Sequence, residues 1–176
     1  MTTNTTTKKR TTSRAKKPTE TSTQPKEIKK LPPNPFMNEI LDLVHEQETE
    51  EDKIKVLQEY ANDALKTLLI WNFDESIISL LPSGEVPYQP NESPLGVEHS
   101  SLRRDYKNLY NFVKGGNDSL SKIRRETIFI QILESLHPNE ADVLILVKDK
   151  KLSDKYDISL DIVQKAYPDI VWGNRS

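Results

Sequence analysis

Residues 101–138 read SLRRDYKNLYNFVKGGNDSLSKIRRETIFIQILESLHP, and this stretch decides the fold class. Its first half sets Leu102, Tyr106, Leu109, Tyr110 and Val113 at i, i+4, i+7, i+8 and i+11, the spacing of one face of an amphipathic helix. Gly115-Gly116 ends that helix and reverses the chain, because glycine adopts a left-handed C-cap without a Cβ penalty. The second half, opened by Asp118 or Ser119, carries Ile123, Ile128, Phe129, Ile132, Leu133 and Leu136 on a wide apolar stripe. A stripe of that width is expected on the central buried helix. Tyr106 and Tyr110 fall on the apolar face and are expected in the core rather than as platforms for stacked bases.

The helical reading extends outward. Pro138 is well placed to open a helix through Ala141, Leu144 and Val147. The five apolar residues 143–147 also admit a buried strand, but the Asn139-Glu140-Ala141-Asp142 lead-in favours helix. Ser159 caps a last helix with Leu160, Val163, Ala166 and Tyr167, ended by Pro168. Upstream, Pro35 suits the first turn of a helix through Ile40, Leu41 and Val44. Thr49 with Asp52 three residues later resembles a helix start leading to Ile54, Leu57 and Tyr60. Asn62 or Asp63 caps a segment through Leu65, Leu68, Leu69 and Trp71. The pattern predicts an all-α fold: one compact domain over 35–176, with six or seven helices. Its longest irregular region, 82–98, holds four prolines and two glycines. A loop of that length is either functional or wrapped over the surface, here as a strap held by Val86 and Tyr88.

Charge divides the chain. Residues 1–34 hold nine basic and two acidic residues, a net +7, while the rest holds 16 basic and 25 acidic residues, a net −9. The first 23 positions include ten threonines. Such a tail buries too little apolar surface to offset its ordering entropy and is expected to be disordered. No cysteine is present, which excludes disulfides and thiolate metal sites. No apolar run approaches the roughly 20 residues needed to span a bilayer, and the N-terminus lacks a signal-like apolar region. A soluble, intracellular protein without a membrane partner is expected.

Catalytic signatures are absent: no P-loop, GxSxG or HExxH occurs. His45, His99 and His137 share no ligand spacing, and the carboxylates of 46–52 lack the order and turn glycine of a calcium loop. No catalytic residue, cofactor or metal site is therefore expected. The binding signal is stronger. Residues 101–126 hold seven basic and three acidic residues, +4 inside a body of −9. Arg103, Arg104, Lys107 and Lys114 on the first helix, with Arg124 and Arg125 on the second, form a shared basic surface suited to phosphate. The tail residues Lys8, Lys9, Arg10, Arg14, Lys16 and Lys17 add to it. The competing reading pairs these cations with carboxylates elsewhere in the body.

Several stretches carry a resemblance: Leu69-Ile70-Trp71-Asn72-Phe73, Val86-Pro87-Tyr88-Gln89-Pro90-Asn91, Glu98-His99-Ser100-Ser101-Leu102-Arg103-Arg104, Phe112-Val113-Lys114-Gly115-Gly116 and Lys148-Asp149-Lys150-Lys151-Leu152. Together they resemble an uncharacterised family of small proteins of T4-like tailed bacteriophages (myoviruses), including phages of marine bacteria. The resemblance covers residues 34–173 and leaves out the tail. It implies no activity, only a setting: the host bacterial cytoplasm or the inside of a virion. The expected function is a non-enzymatic phage accessory protein that binds nucleic acid or a nucleoprotein complex through the tail and the basic helical surface. The alternative is an adaptor or virion component that docks a phage or host protein through its acidic body and the 82–98 loop.

Overall fold

The computed structural model describes residues 27–94, 96, 97 and 100–175. Its elements are α1 (Met37–His45), α2 (Glu50–Glu59), α3 (Asp63–Phe73), α4 (Leu102–Asp105), a 3-10 segment (Tyr106–Phe112), α5 (Lys122–Ser135), α6 (Pro138–Lys148), α7 (Leu152–Lys155) and α8 (Leu160–Ala166). Among the described residues the only extended pairing is a single antiparallel bridge between Ser79 and Val113. The fold is all-α and forms one compact domain, with eight α-helices among the described residues, two of them single turns. None of these helices is long and apolar enough to cross a membrane.

The centre of the bundle is α6, not α5. The segment 143–147 is helical, and α6 packs against α1, α3, α5 and α7, burying Ala141, Val143, Leu144 and Val147. The stripe on α5 is narrower than its sequence suggests. Phe129, Ile132 and Leu133 are buried, but Ile123 is 80% exposed. A first-turn isoleucine adds to the stripe by spacing yet projects past the edge of the bundle.

Five helices begin with a local cap. Thr49, Asn62, Ser121 and Ser159 each accept from the backbone N–H three residues on, and His137 Nδ1 accepts from Asn139 N–H. The N-cap residues of α1, α4 and α7 make no side-chain cap bond, although in α1 Glu39 Oε2 accepts from Phe36 N–H at 2.8 Å. Their first amides reach across the core instead. Glu140, fully buried on α6, accepts from Met37 N–H at 3.0 Å and from Leu102 N–H at 2.9 Å. Buried Asn72 accepts from Leu152 N–H at 3.0 Å. One carboxylate thus fixes the entry of two helices, because a buried N–H without a partner is costly.

The 82–98 loop is tied down at its base. Buried Lys148 donates through Nζ to the carbonyls of Pro82 (2.8 Å) and Gly84 (3.1 Å) and to Asp149 Oδ1 (2.5 Å). Asp149 Oδ2 accepts from Gly84 N–H, and Glu134 accepts from Gln89 N–H. Val86 and Tyr88 pack half-buried against the core, as a surface strap requires. Within the stretch 1–34 drawn as a tail, residues 27–34 are described. Ile28 and Leu31 pack on the core and Leu31 N–H donates to Tyr60 Oη, so 27–34 lie on the body. Residues 1–26, the remainder of the stretch 1–34 expected to be disordered, lie outside the described residues.

Candidate nucleic-acid interface

The segment 102–114 does not form the amphipathic helix its spacing predicts. After one turn of α4 the chain tightens into the 3-10 segment, and Val113 then turns extended. Two hydrogen bonds draw it out: Leu80 N–H to Phe112 O at 2.8 Å and Lys114 N–H to Ile78 O at 2.9 Å. A 3-10 turn takes three residues, so Tyr106, Leu109 and Phe112 stack on one face. Leu109 and Phe112 are buried accordingly, and Phe112 packs between Trp71 and Phe129. Tyr110 is displaced from the core and is 52% exposed, contrary to its place on the 3.6-residue stripe.

The Gly-Gly turn that follows is set by space as well as conformation. Gly115 has φ +79, and a Cβ at Gly116 would lie 1.9 Å from the Tyr110 carbonyl oxygen. Arg125 closes the turn. It is only 6% exposed and donates from Nε to Asn111 O at 2.8 Å and from Nη2 to Asn117 O at 3.0 Å. Arg125 is therefore a clasp between α5 and the turn and leaves the basic surface. Arg103 is similarly engaged, donating to Pro35 O at 2.9 Å, which holds the connector against α4.

Arg104, Lys107, Lys114 and Arg124 remain exposed, and no carboxylate of the described residues lies within ion-pair distance of them. Lys122 is also exposed, 4.0 Å from Glu126 on the same helix. The carboxylates of 46–52 find other partners: Asp52 pairs with Lys55 and Glu50 with Lys165. The tail cations Lys8, Lys9, Arg10, Arg14, Lys16 and Lys17 lie outside the described residues.

Beside the 3-10 segment opens a cleft of about 370 Å³ walled by Tyr106, Lys107, Tyr110, Trp71, Ile77 and Arg175. Arg175 comes from the far end of the chain, held by the buried carboxylate of Asp74. Asp74 accepts from Ser76 N–H and Oγ–H, from Gly173 N–H at 2.9 Å and from Arg175 Nε at 3.0 Å. Burial alone would raise its pKa, but the bonds from Ser76, Gly173 and Arg175 outweigh that and hold it below the ordinary carboxylate value. A depressed carboxylate pKa stabilises the fold above the unfolded value, and that stability is lost as pH falls through the folded one. The C-terminal segment is thus expected to release from α3 only below about pH 4, an acid step that Asp74→Asn abolishes. Trp172 fluorescence followed through an acid titration measures it.

Arg175 and Trp71 were not legible as site residues. One is brought in from the C-terminal end by a buried hydrogen bond. The other reads in sequence as a core anchor, and indeed is only 2% exposed, yet it lines the cleft.

Fold and surface together define a small helical domain that presents a cationic segment with an aromatic cleft beside it. Residues 40–154 match a family of unknown function, DUF6433, and the chain belongs to that family. The matched range contains the whole cationic segment and every cleft residue named here except Arg175; residues 1–39 and α8 lie outside it. No curated protein and no solved structure matches the chain.

Proposed function

We propose that the protein is a non-enzymatic accessory factor that binds nucleic acid, in the phage setting that its sequence resemblance implies. The observation that carries this reading is the exposure of Arg104, Lys107, Lys114 and Arg124 on one clasped unit, free of carboxylate partners among the described residues. Ammonium and guanidinium groups left solvated and without carboxylate partners are suited to phosphate. The acidic remainder of the body disfavours any other approach of a polyanion, so contact is confined to this side. The tail adds charge without geometry.

A gel-shift titration across salt concentrations tests the proposal. Replacing Lys107, Lys114 and Arg124 together by Gln should lower the slope of log K against log[salt] by about three, roughly one for each phosphate left without its cation. The substituted side chains are exposed, so the unfolding midpoint should not move. A variant that keeps the parent's slope would refute the body-level binding surface.

A further inference from the structure

We infer that the cleft beside Lys107 receives one unpaired base of a single-stranded nucleic acid, with the strand's phosphates on Lys107 and Lys114. This rests on the nucleic-acid reading and deepens it by naming the strand class. Three observations meet at the cleft. Its volume, about 370 Å³, falls within the roughly 300–1,000 Å³ of ligand clefts, too large for a packing defect. Its walls include two tyrosine rings, and the 3-10 geometry leaves Tyr110 half exposed at the mouth. An exposed ring beside a cationic groove provides a stacking surface for any base, since every base has a π-face. The third is charge: Lys107 and Arg175 line the same cleft, and Lys114 follows Val113 of its wall.

Charge selects the occupant. Lys107 sits 5.9 Å from the centroid of the Tyr106 ring, and Arg175 lines the same cleft with part of its charge balanced by Asp74. An apolar peptide side chain would fill the walls but leave Lys107 unused. A duplex would satisfy Lys107 but keep its bases stacked out of reach, since extruding one carries an unpairing penalty. A single strand satisfies both, with the base inside and the backbone along the rim toward Lys114.

The test measures fluorescence anisotropy at constant salt with four probes of equal length: oligothymidylate, oligouridylate, an abasic strand and a duplex. The full chain should bind the thymidylate or uridylate strand about tenfold more tightly than the abasic strand, which carries the same phosphates without bases. A preference for either strand over the abasic one supports the inference. Tyr110→Ala should erase that preference while leaving abasic and duplex binding unchanged, and Tyr110→Trp should retain it. Because Tyr110 is exposed, both variants should unfold at the parent midpoint. Equal, salt-dependent binding of all four probes by the parent would overturn the base site and leave the nucleic-acid reading standing. Base preference persisting in Tyr110→Ala would also overturn it. Binding of none of the probes would overturn both.

Discussion

Glu140→Ala should destabilise the protein by about 3–5 kcal/mol, the largest loss expected from a single polar side chain here. Two buried amides, Met37 N–H and Leu102 N–H, lose their acceptor at once, and each unsatisfied group carries a penalty of about 1–3 kcal/mol. Neither can turn to water, because Met37 and Leu102 are both fully buried. The carboxylate charge also sits at the N-terminus of α1, where a negative group is favoured by the helix dipole. For a chain of this size the change corresponds to a fall in Tm on the order of 10 °C. Glu140→Gln keeps the volume and one acceptor, so it should recover about half of the loss. Urea unfolding of both variants measures this, and a loss below about 1 kcal/mol for Glu140→Ala would mean that the two helix starts find other acceptors. The consequence reaches the interface, since Leu102 opens the segment that carries Arg104, Lys107 and Tyr110.

The same residue marks where sequence reading stopped. Four of the five helices whose start is fixed locally were legible: Thr49 with Asp52, Asn62, Pro138 after His137, and Ser159 all act where their spacing places them, whereas α5 starts from Ser121 and not from Asp118 or Ser119. Among the starts held by tertiary acceptors, that of α7 was not. Nothing near Leu152 signals α7, because its cap is Asn72, eighty residues away. The 101–114 region failed for a related reason. Its 3.6-residue period is genuine, but the backbone bonds of Phe112 and Lys114 to the 78–80 segment draw the chain into a 3-10 course. A change from 3.6 to 3.0 residues per turn rotates Tyr110 outward and Phe112 inward. The cationic cluster was legible as composition, yet which of its members are free was not. Arg103 and Arg125 look identical in sequence to Arg104 and Arg124, and only the carbonyls of Pro35, Asn111 and Asn117 separate them.

Removing residues 1–26 should weaken binding to nucleic acid by about two to three orders of magnitude at low salt. The deletion takes away seven basic residues and one acidic residue and leaves a chain of strongly negative net charge. It spares Ile28 and Leu31, which pack on the body, so the fold should be unaffected. Six to ten phosphate contacts give a loss of about a thousandfold to a hundred-thousandfold between roughly 50 and 200 mM salt. The full chain should fall in that range, and the shortened chain, left with the cations of 104–124, should lose only about a hundredfold. The opposite sign has its own physical basis. Lys29 and Leu31 line a groove with Glu39 and Asp42 of α1 and Glu46 just after it, so the last tail residues already lie along an acidic face. If the tail's charge is used there, in cis, deletion will leave nucleic-acid affinity unchanged and will instead expose a face that attracts cationic partners. The two cases diverge most at low salt, where a solvated tail reaches phosphates from farthest away. Paired binding isotherms of the full and shortened chains at about 50 mM salt therefore decide whether the tail serves a polyanion or its own domain.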